Sequence, residues 1–455
     1  MKSFSLDQIV DVTQGSLVGT SCSISSVTTD TREVVAGSLF IALIGERFDA
    51  HDFAHQAIES QAAALVVSRQ LDLDIPQLVV EDTKIALGQI GAWVHHNAHG
   101  NTKTLALTGS CGKTTVKEML ANILSRQGKV LATAGNFNND IGVPLTLLRA
   151  SSDDDFAVIE LGANHIGEIA YTTNLVKPQV ALVNNVAAAH LEGFGSIEGV
   201  AKAKGEIYQG LEPQQSAVVN LDSNGGELWR EILNDKQCVY ISKQNPKADF
   251  YATDISVDAT GCAQFTLQTP NGQAPVQLSI IGEHNIANAV AAAAMAMQVG
   301  VELDDITAGL SQAMSVKGRV QVEQLTDTIR LIDDSYNASV PAMKAAADLL
   351  ANYSGQRWLV LGFMAELGEQ SYAMHKEVGE HAAQYQFEHV LTYGDDTKII
   401  SELCGGVHFE THQEMQAYIQ QHLNSQAQQN HTLLIKGANS SKMSQIVAAL
   451  QENYA

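Results

Sequence analysis

The chain has 455 residues, 45% of them hydrophobic, which is about three domains at ~150 residues each and enough to build several cores. A peptide module or a disordered tail is excluded. The 50 acidic side chains outnumber the 27 Lys plus Arg for a formal charge of −23 spread along the whole length, which excludes bulk attraction to nucleic acid or an anionic membrane and requires any anionic ligand to be held locally.

In chain order, short β-branched or Leu-rich runs alternate with longer helical patterns, as in parallel sheets with crossover helices, so the fold class is α/β with three domains. The first block, residues 1–98, predicts strands at 38–43, 64–67 and 77–80 and helices at 51–62 and 83–95. The polar stretch His95 to Lys103, with Gly100, predicts a linker. Asp7 and Asp11 interrupt the N-terminal segment, which lacks the apolar core of a signal peptide. The five cysteines (Cys22, Cys111, Cys238, Cys262, Cys404) are odd in number and contain no C-x-x-C pair, which predicts a reducing compartment without disulfides or a zinc cluster.

The second block, residues 99–314, predicts a parallel sheet from strands at 104–108, 129–132, 157–161, 179–183, 217–220 and 238–241. A helix at 113–127 follows the first of these strands. From 250 to 281 the pattern alternates with period two around Asn271-Gly272, predicting a small antiparallel insertion. Helices at 285–299 and 303–314 close the block. The apolar run Ala287 to Val299 is broken by Asn288 and Gln298 and is shorter than the ~20 residues of a membrane span, so a soluble, cytoplasmic protein is expected, and it is expected to be a monomer. The third block, residues 315–455, predicts strands at 320–325, 329–333, 358–361, 389–393 and 432–435 with helices between them, a Rossmann-like pattern.

The sharpest local signal is Thr108-Gly109-Ser110-Cys111-Gly112-Lys113-Thr114-Thr115, between a predicted strand and a predicted helix. Glycines let the backbone wrap a phosphate, the helix start supplies N–H donors, Lys113 adds a mobile charge and Thr114 offers a hydroxyl to Mg²⁺. The spacing departs from G-x-x-x-x-G-K-[ST], because Leu107 stands where the first glycine belongs. An acidic protein that binds ATP needs metal ligands nearby. Glu160 ends one predicted strand and His190 follows another, which is where open α/β sheets place their ligands. Lys202 and Lys204 share a predicted helix two positions apart, so they face different ways; a solvated surface is the bland alternative for both.

The central block resembles the Mur ligases, ATP-dependent amide-forming enzymes of peptidoglycan precursor synthesis, and the resemblance covers essentially the whole chain. It is strongest, through residues 135–145, 160–169 and 187–195, to the branch that joins D-alanyl-D-alanine to UDP-N-acetylmuramoyl-tripeptide. The resemblance implies that Lys113 and Thr114 are the P-loop lysine and the Mg²⁺-binding hydroxyl, and that Glu160 and His190 are second-metal ligands. It implies that Lys204 becomes carbamylated and adds an anionic oxygen ligand. It implies that Asn285 and Asn288, beside His284, contact adenine, and that Arg319 and Asp334 reach ATP from the C-terminal domain; a helix cap and a domain-junction ion pair are the respective structural alternatives. Asn136, Asn138 and Asn139 in the 135–145 stretch and Asn337 are carried over as substrate-binding residues. Residues 1–98 resemble a uridine-nucleotide-binding domain, with Ser26, Thr28, Arg32 and Arg47 as candidate diphosphate contacts.

Two departures fall in the domain that receives the dipeptide. Ser339-Val340-Pro341 replaces the usual Asn-Pro, and Phe363 stands where Asp is usual. The alternatives are a relative that adds a single amino acid, argued against by the missing Asp-Asn-Pro-Arg motif, and a P-loop ATPase switch without ligase activity.

Overall fold

A computed structural model of the chain describes residues 1–98, 101–188, 191–223, 225–258, 261–313 and 317–454. It is a mixed α/β protein whose strands form three main sheets and two small antiparallel ones, one of them the pair Phe4–Ser5 and Ser23–Ile24.

The N-terminal sheet contains β1 (Ser16–Val18), β2 (Ser26–Thr28), β3 (Ser38–Ile41), β4 (Ala64–Val67) and β5 (Gln77–Val79), in the order β1-β5-β4-β3-β2. Only the β1–β5 pair is antiparallel. β3 and β4 are buried along their whole length, which is why their apolar runs were legible in the sequence. Helix α1 (Thr83–Ala98) follows and runs three residues past its predicted end. His95 is therefore not at the start of a linker: it is 4% exposed, and its Nε2 lies 3.0 Å from Thr104 Oγ1. Gly100 lies outside the described residues.

Burial, reinforced by neighbouring His96, holds the His95 imidazole down at about 4 from its ordinary 6.5. The unfolded chain thus takes up this proton near pH 6.5, whereas the folded protein does not until about pH 4. The associated stability is present above pH 6.5 and is lost as pH falls toward 4, with about 2 kcal/mol of it gone near pH 5. Urea unfolding is expected to show a shallower pH dependence over that window for His95→Gln than for the unmodified protein; identical slopes would remove His95 from the acid response.

The central sheet is built from β6 (Lys103–Thr108), β7 (Val130–Ala132), β8 (Phe156–Glu160), β9 (Val180–Val183), β10 (Ser216–Asn220) and β11 (Gln237–Ile241). Its order is β11-β10-β9-β6-β8-β7, with every pair parallel. Successive residues of β6 and β8 serve opposite cores: Leu105, Leu107 and Val158 pack on one face, Ala106, Ala157 and Ile159 on the other. The first face is covered by α2 (Lys113–Leu124) and α4 (Asn285–Gln298); between β11 and α4 comes a small antiparallel sheet, β12 (Tyr251–Val257), β13 (Cys262–Thr269) and β14 (Gly272–Ile281). Its hairpin loop is Pro270-Asn271, one residue earlier than predicted, because Gly272 already pairs with Thr269. Helix α3 (Ile197–Gly205) precedes β10.

The C-terminal sheet uses β15 (Gln321–Gln324), β16 (Ile329–Asp334), β17 (Gln356–Gly362), β18 (His389–Tyr393), β19 (Val407–Phe409) and β20 (His431–Lys436), in the order β15-β16-β20-β17-β18-β19. Only β15 runs antiparallel to its neighbour. Helix α5 (Val340–Ala351) connects β16 to β17. The apolar core on the second face of the central sheet continues without a break into this part of the chain, joining Ala106 and Ile159 to Ile332, Met343 and Leu359.

Candidate active site

The strand order sets the position of the site. β6 lies between β8 and β9, so the loops that leave β6 and β9 diverge at a switch point of the sheet, where open α/β folds leave a crevice. The first loop is Gly109–Gly112 and the second begins with Asn184-Asn185. They are stitched together: Ser110 N donates to Asn185 O at 3.0 Å and Cys111 N to Asn185 Oδ1 at 2.8 Å, while both asparagine amides donate to Cys111 O at 2.9 and 3.0 Å. Ser110 Oγ is fixed between the N and O atoms of Ala187.

Gly112 has φ +76°, and a Cβ there would come within 2.4 Å of Asn288 Oδ1, so only glycine lets the loop pass and start α2 with its first N–H groups open. Thr114 and Thr115 sit on that first turn. Lys113 Nζ curls back to donate to Gly109 O at 2.7 Å. Burial pushes the Lys113 ammonium below its ordinary value, and the charge of Glu160 opposes that shift.

An amide chain ties α4 to this loop. Asn285 Nδ2 donates to Ile281 O, Asn288 Nδ2 to Asn285 Oδ1, and Asn184 Nδ2 to Asn288 Oδ1, at 2.8, 2.9 and 3.1 Å. His284 lines the same cleft and is held below its ordinary value by burial.

The C-terminal part of the chain supplies the opposite wall. Gly318 and Val320 have φ of +73° and +51°, a double reversal that projects Arg319. Its guanidinium stacks 4.3 Å above the Tyr336 ring, and Nη2 donates to Thr114 Oγ1 at 2.9 Å, while its buried Nε has no hydrogen-bond partner among the described residues. Asp334 lines the cleft too, yet its carboxylate is engaged on both oxygens: Oδ1 accepts from Val320 N at 3.3 Å and Oδ2 from Lys436 Nζ at 2.6 Å. Lys436, 3% exposed, also donates to Asn337 O at 2.9 Å. Asn337 itself stands at the rim.

Between these walls is a cleft of about 520 Å³. It brings together Ser110, Cys111, Gly112, Lys113, Thr114, Thr115, Asn285, Asn288, Arg319, Asp334 and Asn337, eleven of the residues singled out in the sequence. Asn220, Asp222 and Lys243 also line it, with Asp222 held by Ser242 Oγ and the Lys243 N–H.

Glu160, 1% exposed, ends β8 beside the loop. Its Oε1 accepts from Asn138 Nδ2 at 2.8 Å, while its buried Oε2 has no partner among the described residues. An uncompensated carboxylate oxygen costs too much to leave dry, and a divalent cation satisfies it. The free Glu160 oxygen and the Thr114 hydroxyl are both oxygen donors of the kind Mg²⁺ takes. His190 lies outside the described residues.

Lys204 is 1% exposed and Lys202 exposed, so the two lysines divide as the helical spacing requires. No ion pair neutralises Lys204 among the described residues; its Nζ lies 5.3 Å from the Phe194 ring centroid. Burial first, and the Lys113 charge second, bring it down to about 7 from 10.5. The solvated-surface alternative is thereby overturned for Lys204.

The remaining candidates are dispersed. Asn139 Oδ1 caps the turn at Gly142 N, and Asn136 is exposed. Ser26 Oγ meets Ser38 Oγ at 2.7 Å and Thr28 Oγ1 closes its own loop at Asp30, so neither hydroxyl is free. Arg32 is exposed and paired with Asp30; Arg47 is exposed. None of these four lines the cleft. The two C-terminal departures are also explained locally. Ser339, at the start of α5, turns its hydroxyl to Cys111 Sγ at 3.0 Å instead of capping its own helix, and Phe363 fills the space over Gly394, where a Cβ would sit 2.7 Å from its ring.

Sequence reasoning missed Asn184, Asn185 and Lys436. The strand-end logic that singled out Glu160 applies equally to Asn184-Asn185 after β9, whereas Lys436 carries no local motif.

A phosphate loop completed by an arginine from a second α/β unit, with a metal-ready carboxylate alongside, places the molecule among nucleotide-dependent enzymes that transfer a phosphoryl group. Residues 23–99 match the family description "Mur ligase family, catalytic domain", residues 107–296 "Mur ligase middle domain" and residues 318–439 "Mur ligase, glutamate ligase domain". The chain belongs to the Mur ligase family. It is 50% identical over 454 residues to the UDP-N-acetylmuramoyl-tripeptide--D-alanyl-D-alanine ligase of Escherichia coli K12, covering 100% of this chain and 99% of the relative, and 44% identical to that of Haemophilus influenzae over 98% of each. A crystal structure of MurF from Acinetobacter baumannii superposes with a TM-score of 0.94 at 38% identity over 99% of both chains. The MurF ligase of Thermotoga maritima in complex with ADP does so at 0.83 and 25% identity, over 94% of this chain and 97% of that one.

Proposed function

We infer that this chain is an ATP-dependent ligase that joins D-alanyl-D-alanine to UDP-N-acetylmuramoyl-tripeptide in peptidoglycan precursor synthesis. The observation that carries the reading is the composite cleft, in which the P-loop and Arg319, 205 positions apart, meet at Thr114. The terminal carboxylate of the tripeptide attacks the γ-phosphorus of ATP, forming an acyl phosphate and releasing ADP. The dipeptide amine then adds to the acyl carbon, loses a proton, and expels phosphate to leave the amide. Lys113 and Arg319 offset charge on the transferring group, and the walls keep water from the acyl phosphate. Mg²⁺, when bound, neutralises phosphate charge; Glu160 and Thr114 would hold it, with His190 as a further ligand. Lys204, neutral in an appreciable fraction near pH 7, condenses with carbon dioxide to a carbamate and a proton, which adds an anionic oxygen to that set.

Three domains, 1–98, 99–314 and 315–455, divide the substrates: UDP-peptide, ATP, and dipeptide with a share of ATP. Ser26, Thr28, Arg32 and Arg47 are assigned to the UDP-peptide, as are Asn136 and Asn139, and Asn337 to the dipeptide side. A cytoplasmic, monomeric enzyme is proposed, without nucleic-acid partners in keeping with its formal charge of −23; no described helix is long and apolar enough to cross a membrane. Phosphate release measured with each substrate omitted in turn tests the ligase reading: release is expected only when ATP, UDP-tripeptide and D-alanyl-D-alanine are all present, and release indifferent to the last two would leave a plain ATPase. The same assay with UDP-tripeptides ending in lysine or diaminopimelate identifies the third residue.

A further inference from the structure

The 135–145 stretch suggests a substrate-binding role for Asn138, but the side chain does something else in the fold. Its Nδ2 donates to Glu160 Oε1 at 2.8 Å, and its carbonyl accepts from Gly162 N at 2.7 Å, so one residue grips the end of β8 from the side-chain and main-chain directions. The fit is close: a Cβ on Gly162 would fall 2.8 Å from Asn138 Oδ1 and 2.9 Å from its Cγ. Only the glycine leaves room for the amide to lie against the carboxylate.

The rest of Glu160 is equally constrained. Its N–H donates to Thr133 Oγ1 at 3.0 Å, and the Thr133 carbonyl in turn accepts from the buried Lys117 Nζ at 2.6 Å, anchoring the strand end to α2. The two carboxylate oxygens thus differ: Oε1 is held and Oε2 is left without a partner among the described residues. A carboxylate with one oxygen tied to a protein donor has a fixed rotamer and presents the other oxygen in one direction, which is how an outer partner orients a metal ligand.

The geometry points to Asn138 as a positioning residue that sets Glu160 for the divalent cation, rather than as a contact to the UDP-peptide. This rests on the reading of Glu160 as a metal ligand given above. Asn138 acts through Glu160 and touches no reacting atom. Its loss therefore changes how tightly the cation is held before it changes how the peptide substrate binds.

The test uses the full-length enzyme with ADP and Mn²⁺ as the spectroscopic probe. Free and bound Mn²⁺ are resolved by electron paramagnetic resonance for the unmodified protein, Asn138→Ala, Asn138→Asp and Glu160→Gln, and KM for UDP-tripeptide is measured alongside. Asn138→Ala is expected to weaken nucleotide-dependent Mn²⁺ binding about 10- to 100-fold with KM for UDP-tripeptide within about twofold. Asn138→Asp, which sets an acceptor against an acceptor, is expected to be at least as severe, and takes over as the test if the alanine variant does not fold. Unchanged Mn²⁺ binding in both Asn138 variants, with weakened binding in Glu160→Gln, overturns the positioning role and leaves the metal reading intact. A raised UDP-tripeptide KM with Mn²⁺ binding unchanged returns Asn138 to substrate contact. Unchanged Mn²⁺ binding in Glu160→Gln removes Glu160 from the metal and overturns the inference with it.

Discussion

Replacing Lys113 by alanine is expected to lower kcat by on the order of 10³ while the protein stays folded, because the phosphoryl group then transfers without its mobile cation. The fold does not depend on this ammonium. Its hydrogen bond goes to the carbonyl of Gly109, and the rest of the loop is held by Asn184, Asn185 and Ser110 instead. Burial already disfavours the charged form of Lys113, so truncation removes a desolvated cation and leaves no stranded one behind. Turnover, thermal midpoint and ADP affinity measured together check this. Near-normal turnover would take the P-loop out of the mechanism.

The second large effect is expected at Lys204. Lys204→Ala should lose on the order of 100-fold in kcat, and added acetate or bicarbonate should partly restore it, since a small oxyanion would supply the carboxylate of the proposed carbamate. The pH dependence has a definite sign. With the ammonium brought down to about 7, the neutral amine is the minor form below that pH and the major form above it, so an activity that depends on the proposed carbamate is expected to rise through neutrality. Removal of dissolved carbon dioxide should lower the activity of the unmodified enzyme and leave Lys204→Ala unaffected. A wild-type rate for Lys204→Ala would return the residue to a packing role beside Phe194.

The strands of the central sheet were legible because they are buried on both faces and read as continuous apolar runs, with Phe156–Glu160 and Val180–Val183 displaced by only a residue from expectation. Strands Ser16–Val18 and Ser26–Thr28 were not, since short serine- and threonine-containing edges have no hydrophobic period. The helix at Gly142–Leu147 was hidden by its glycine and proline, although Pro144 falls in its first turn, where its missing N–H costs nothing. Much of the cleft was legible from one local motif and its strand–turn–helix setting. What escaped were groups whose partners lie far away in sequence: Lys436, defined by Asp334 and the Asn337 carbonyl, and Asn184-Asn185, defined by the main chain of Cys111.

On the proposed reading, in which Lys113 and Arg319 both face the phosphates, the contact between Arg319 and Thr114 gives the nucleotide a second identity, as a crosslinker: one of its cationic partners follows a strand of the central sheet and the other precedes the C-terminal sheet. In that reading, loss of ADP removes one of the links between the two walls and leaves them joined by the Arg319–Thr114 contact and the shared apolar core.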